Sequence, residues 1–217
     1  MLYIYCAGSL AKEIYDLAKR TGLKSNNILF VDDKLFGKKF TSDKIEILSG
    51  DQLTKCYKEK DKVIIASGEP IVRENLFKKL SNKNFKFGTL IDPSAIISPS
   101  AKIKEGTIIC DFCSISSDTF IDNNVLINRQ SIIGHDIQIA SHAVISSTVN
   151  LGGAVTVGKG SYVGMGAHIR EDLKIGTYSI ISMGSIVHKD VKDETIVMGN
   201  PARAMLINKE KKIFKRT

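Results

Sequence analysis

From Ile91 to Val187 every sixth residue is a large aliphatic: Ile91, Ile97, Ile103, Ile109, Ile115, Ile121, Ile127, Ile133, Ile139, Ile145, Leu151, Val157, Val163, Ile169, Ile175, Ile181 and Val187. No residue is inserted or lost in the run. A helix repeats every 3.6 residues and a strand every two, so neither keeps phase at six. A coil of short strands does. Six residues make one flat side, three sides make one turn, and the aliphatics point into a triangular prism. The position four after each aliphatic also turns inward, near a corner where space is short. Most of these positions hold small residues, such as Ala95, Ala101, Thr107, Cys113, Thr119, Ser131, Ala143, Ser161, Ala167, Ser179 and Ser185, with Ile137 and Leu173 larger. The pattern predicts an all-β left-handed parallel β-helix of hexapeptide repeats. Its coils rise about 4.8 Å each, the spacing of paired strands.

Residues 1–88 carry no six-fold phase and read as a separate α/β domain; residues 89–217 hold the β-helix and a C-terminal tail. Leu2 to Cys6 is a short apolar strand, and Ala7-Gly8 a turn. Ser9 is expected to cap a helix with Leu10, Ile14, Leu17 and Ala18 on one face, closed by Gly22. Ile28 to Val31, Ile45 to Leu48 and Val63 to Ala66 read as further strands. Pro70 opens a helix running to Leu80. Such alternation predicts a small parallel sheet of Rossmann type. Ligands of such sheets sit at the strands' carboxyl ends: here Cys6 to Ser9, Asp32-Asp33 and Ser67 to Glu69. Only Gly8 remains of a glycine-rich phosphate turn. Asp32 and Asp33 lie about 24 residues beyond it, where an acid would meet a ribose or base edge. They read equally well as solvated acids after a strand. Beyond the coils the chain leaves through Gly199-Asn200-Pro201-Ala202-Arg203, and a solenoid with flat apolar faces tends to associate.

The chain lacks an apolar run long enough to span a membrane and a basic leader with a cleavage site, so a cytoplasmic protein is expected. Its 31 basic and 23 acidic residues give a formal charge of +8. The basic residues are dispersed without aromatic interleaving, which argues against nucleic acid. The balance suits a polyanionic small ligand, such as a nucleotide diphosphate or coenzyme A. Their densest cluster, Lys209, Lys211, Lys212, Lys215 and Arg216, reads as a solvated tail. Four scattered cysteines are too few for a disulfide framework. Cys110-x-x-Cys113 reads as packing, because Cys113 falls on an inward position.

Chemistry has to come from residues outside the aliphatic phase. His135 lies in the hexad Ile133-Gly134-His135-Asp136-Ile137-Gln138. An eighteen-residue coil places Ser117 beneath it and Gly153 above. Gly152-Gly153 then leaves a notch beside the imidazole where a thin ligand could lie against the Gly153 N–H. Asn128, seven residues earlier on the adjoining face, could point to the same corner. A base, a free amide and an amide side chain suit acyl transfer. An ordinary surface histidine is the bland alternative. For Asp136 to orient the imidazole the backbone must bend, since neighbours on a regular strand face opposite ways. His142 and His168 differ in phase from His135, so a three-ligand zinc site is not expected.

Taken together, Val31-Asp32-Asp33, Ile91-Asp92-Pro93-Ser94-Ala95, Gly134-His135-Asp136 and Gly199-Asn200-Pro201-Ala202-Arg203 make the chain similar to the NeuD/PglD family of sugar acetyltransferases. The resemblance implies a homotrimer that uses acetyl-CoA and no metal. It implies an N-terminal domain that holds the nucleotide of a nucleotide-linked amino sugar. By resemblance, His135 is the general base, Asp136 its orienting acid, and Asn128 an active-site asparagine. Gly153, Met165, Gly166 and Gly184 fall where the coenzyme would run. Gly8, Ser9, Asp32 and Asp33 would touch the nucleotide. Two positions depart from the pattern. Leu10 stands where the family's glycine turn usually carries a histidine, and Val144 stands where a second histidine often follows the base. The implied reaction is N-acetylation, most simply at C4, for surface glycan synthesis. O-acetylation of sialic acid is the rival within the same architecture. A non-enzymatic, ice-binding β-helix would want flat threonine ladders, and the outward positions here are mixed and charged.

Overall fold

The computed structural model describes residues 1–214; Lys215 and Arg216 of the basic tail lie outside the described residues. The N-terminal unit runs β1 (Leu2–Tyr5), α1 (Ser9–Arg20), β2 (Ile28–Val31), β3 (Lys39–Phe40), β4 (Ile45–Leu48), α2 (Gly50–Cys56), β5 (Lys62–Ile65) and α3 (Pro70–Ser81). The sheet order is β3-β4-β2-β1-β5. β4, β2, β1 and β5 pair in parallel, and β3 joins as an antiparallel edge.

Two local readings need correction. The N-cap of α1 is Gly8, with no side-chain cap bond, and Ser9 is the first helical residue. At the far end Gly22 has φ 93°, and the Gly22 and Leu23 N–H groups reach back to Lys19 and Ala18, a Schellman closure. Second, α2 was missed. Ser49 accepts from the Gln52 N–H while the Gln52 side chain accepts from the Ser49 N–H. This capping box was legible as Ser-x-x-Gln.

Every aliphatic of the six-residue series closes a two-residue strand, from Leu90–Ile91 to Ile186–Val187. Each strand pairs in parallel with the one eighteen residues on, as in Ile115↔Ile133↔Leu151. Three sheets result, forming a left-handed parallel β-helix. From Ile103 to Ile181 the residue three after each aliphatic takes φ near +55° to +75°, among them Phe112, Asp118, Asn124, Asp136 and His142. These left-handed residues turn the chain at the corners. The inward hydroxyls are buried; Ser185 accepts from the Gly199 N–H, and the others donate to a carbonyl on the next corner. Thr107 donates to Asp122, Thr119 to Gly134 and Ser131 to Ser146, at 3.0, 2.9 and 2.8 Å. Small polar residues thus fill tight corners without orphaning a donor.

The stack does not stop at Val187. Thr195–Met198 continues the first sheet beside Ile180–Ile181, with a coil shortened by two residues. Arg203–Ile207 folds back antiparallel on it and covers the open edge.

The three faces of the prism differ. The first carries outward Leu90, Ile108, Leu126 and Val144, all buried. They share one apolar cluster with Ala11, Ile14 and Leu17 of α1 and with Leu2 and Ile4 of β1. The prism and the α/β sheet are joined through this cluster. The third face presents Lys102, Phe120, Gln138, Thr156 and Lys174. The second face presents Ile96, Ser114, Ile132, Asn150, His168 and Ile186. Ile96 is 72% and Ile132 53% exposed, so this face leaves large apolar side chains uncovered among the described residues. No helix among the described residues is long and apolar enough to cross a membrane.

Candidate active site

Two clusters emerge, at different corners of the prism. The first stands between the second and third faces. His135 Nδ1 lies 2.7 Å from Asp136 Oδ2. The contact that a regular strand forbids is made because Asp136 is a left-handed corner residue, φ 56°. With a carboxylate as its acceptor, Nδ1 carries the proton and Nε2 is left as a free lone pair. Both side chains are mostly exposed, so the ring is not part of the packing.

Gly153 occupies the predicted place above the ring, but its role differs from the expectation. A Cβ at Gly153 would stand 2.5 Å from His135 Cε1 and 2.6 Å from Nε2. The imidazole itself therefore fills the notch, which is a seat for the ring and not an open channel beside it. The neighbouring glycines serve the backbone. A Cβ at Gly152 would meet Glu171 N at 2.6 Å, and one at Gly134 would meet Gly153 N at 2.9 Å. Among the described residues the Gly153 N–H has no protein acceptor.

The second cluster surrounds a groove of about 670 Å³ between the carboxyl ends of the α/β strands and the corner joining the first and second faces. Gly8, Ser9 and Asp32 line it from one side, Asn128 and Met165 from the other. Gly166 and Gly184 continue this corner, with the Gly184 N–H donating to Met165 O at 2.8 Å. Both have φ 67°. The uncapped N-terminus of α1 opens here, and its free N–H groups favour an anion. Leu10 occupies the groove wall as well, an apolar side chain where a polar one was expected by resemblance. Asn128 does not share the corner of His135 within one chain. Its Oδ1 lies 3.8 Å from Cys110 Sγ.

The two aspartates part company. Asp32 faces the groove but accepts from the N–H groups of Ala7, Lys34 and Leu35, so much of its work is to shape the loops. Asp33 does not reach the groove. It accepts from Tyr5 OH at 2.8 Å and Gly50 N at 2.7 Å, at the N-terminus of α2. The Gly50 N–H holds its carboxyl below the usual range. It is a structural cap on another side of the sheet.

Cys6 belongs to the Cys6 to Ser9 stretch expected at the groove, whereas Arg129 and Phe214 of the groove were not identified from sequence. Cys6 follows β1 with φ 74°, and burial pushes its thiol up to about 12, which makes it an inert wall. Arg129 closes the groove by pairing with Glu13 at 2.9 Å. The C-terminal tail is not free either. The Ile213 and Phe214 N–H groups both donate to the Glu69 carboxylate at 3.0 Å, and Phe214 meets Tyr162 edge-on at the groove. Nothing local to the tail signals this return.

His142 is buried, with its Nδ1 3.0 Å from Asn124 Nδ2 and its ring against Phe77. Burial pushes its pKa down to about 4. It joins α3 to the prism. His168 Nδ1 faces Asn150 Nδ2 on the second face. Among the described residues no group of three or more His, Cys, Asp or Glu side chains converges as a metal site would. Cys110 packs toward the α/β unit, and Cys113 into the prism, where it bonds Asn128 O.

Residues 1–80 match the family model of the PglD N-terminal domain. Over 94% of the chain the fold also matches solved structures. These include WeeI from Acinetobacter baumannii AYE, with TM-score 0.88, 26% identity and 99% of that chain covered. They include the acetyltransferase domain of PglB from Neisseria gonorrhoeae FA1090, with TM-score 0.87, 25% identity and 98% covered. A mutant of perosamine N-acetyltransferase from Caulobacter crescentus, in complex with CoA and GDP-perosamine, shares the fold with TM-score 0.87, 23% identity and 96% covered.

Proposed function

Since the chain is an acetyltransferase of the NeuD/PglD type, we propose that it acetylates the amino group of a nucleotide-linked deoxy sugar, at C4, with His135 as general base. The carrying observation is the 2.7 Å Asp136–His135 pair seated on a bare Gly153. Coenzyme A supplies the acetyl group as a thioester. The bare and left-handed glycines of the two corners, with exposed Met165, suit its thin arm. His135 Nε2 accepts the proton of the sugar amine as its nitrogen bonds the acyl carbon. Asp136 holds Nδ1 and stabilises the imidazolium that results. The Gly153 N–H donates to the oxygen on which charge develops. His135 then returns its proton to the departing sulfur, and coenzyme A leaves as thiol. The groove takes the nucleotide, with its diphosphate at the N-terminus of α1.

One chain holds these parts at separate corners. We assign their union to a homotrimer packed through the uncovered second face. In a cyclic assembly one edge of a face meets the opposite edge of its neighbour. The His135 corner of one copy then adjoins the Asn128 and Met165 corner of the next. Ile132→Glu should convert the trimer to monomers in light scattering and abolish acetyl transfer, while His135 and the groove stay intact. A fully active monomer would refute the shared site.

The acceptor is tested directly. UDP-, GDP- and dTDP-linked 4-amino sugars are mixed with acetyl-CoA, and free thiol is followed. At least one should turn over with His135 present. Turnover of free sialic acid alone would replace the amine by a hydroxyl acceptor. We infer a cytoplasmic role in glycan synthesis, since the proposed reaction needs nucleotide sugars and acetyl-CoA.

A further inference from the structure

Arg73, on α3, is fully buried, yet no carboxylate pairs with it among the described residues. The adjacent Glu74 is committed elsewhere, to Lys78 at 2.7 Å, Lys159 at 2.8 Å and the Tyr178 hydroxyl at 2.9 Å. Burial opposes the Glu74 charge, but these partners outweigh it and hold the carboxyl at about 2. A buried cation without a counter-ion is costly, and an aliphatic of similar size would pack there more cheaply. The guanidinium must therefore be kept for its fork of donors.

That fork joins the two halves of the molecule. Nη1 donates to Ile65 O at 2.6 Å and to Ser67 O at 3.1 Å. These carbonyls bracket the turn after β5, and Ala66, Ser67 and Gly68 of that turn line the groove. Nε and Nη2 donate to Asn124 O at 3.0 Å and Asn124 Oδ1 at 2.8 Å, at a left-handed corner of the prism. Asn124 Nδ2 returns a bond to Arg73 O at 3.0 Å.

We propose that Arg73 is a positioning residue for the nucleotide end of the substrate: its fork clamps the Ala66–Gly68 turn of the groove to the prism corner at Asn124. The inference rests on the groove being the nucleotide site. The clamp touches no coenzyme residue, so it should act on one substrate only. Arg73→Met should raise KM for the nucleotide-linked sugar and Kd for the matching nucleoside diphosphate by about 10- to 100-fold, the value of lost charge-assisted hydrogen bonds. KM for acetyl-CoA should stay within about twofold, and kcat should fall far less than KM rises. Arg73→Lys keeps a cation but cannot reach all four acceptors, so it should fold and give an intermediate rise. If Arg73→Met fails to fold, Arg73→Lys decides.

Calorimetry with UDP, GDP and dTDP separates the two ideas. A wild-type protein that binds none of them overturns the groove assignment and this inference with it. Wild-type binding that both folded variants match within about twofold overturns the clamp alone. A parallel rise in both KM values would also overturn it, by marking Arg73 as a general support of the fold.

Discussion

His135→Ala should lower kcat/KM for acetyl transfer by about 10²–10⁴-fold, the usual contribution of a positioned general base. The oligomeric state and the thermal midpoint should be unchanged. The stability half follows from exposure: the imidazole is mostly in solvent and its one side-chain partner is Asp136. Removing it opens no cavity in the core. The activity half follows from the tautomer that Asp136 fixes. Without Nε2 the ammonium formed on attack must shed its proton to water. Asp136→Asn should cost less than His135→Ala. Asparagine tolerates the left-handed corner and can still accept from Nδ1, but it supplies no charge to the imidazolium. Steady-state thiol release measures all three proteins. Wild-type turnover by His135→Ala would remove the base from the mechanism.

Gly153→Ala should be nearly as damaging, and for a different reason. Its new methyl would overlap His135 Cε1 and Nε2 at 2.5 and 2.6 Å. Gly153 itself has no left-handed strain, and an exposed ring can swing away. The fold should hold while the ring leaves its seat, so activity falls by about 10²-fold or more with the melting temperature kept. Gly152→Ala is the contrast. Its Cβ would meet Glu171 N and Cα at 2.6 and 2.9 Å, and backbone cannot step aside. That protein should lose stability before it loses chemistry. A Gly153→Ala enzyme of normal activity would mean that the seat has no role in holding the base.

The prism was legible because its constraint is periodic. Each of the seventeen aliphatics closes a strand, from Ile91 to Val187, and phase alone stacks Gly153 over His135. What phase cannot carry is direction at the corners. The Asp136 contact depends on a left-handed φ, and the notch looked open because the volume of the ring that fills it was not counted. Asn128 was placed at the wrong corner for the same reason: seven residues is one face plus one, and the extra residue does not turn a face. Asp32 and Asp33 read alike in sequence. They diverge because adjacent residues leave a strand in opposite directions, one to the groove and one to α2. Arg73 and the Glu69 contact with the tail link residues far apart in the chain, and no local pattern announces such pairs. The continuation of the stack at Thr195–Met198 escaped because its coil is two residues short.

A crystal structure of the protein with coenzyme A bound tests the account most directly. The sulfur should lie within about 4 Å of His135 Nε2, a reacting distance. The arm should run along Met165, Gly166 and Gly184 of the adjoining copy. A sulfur remote from that imidazole in every copy would contradict the assignment of His135 as the base.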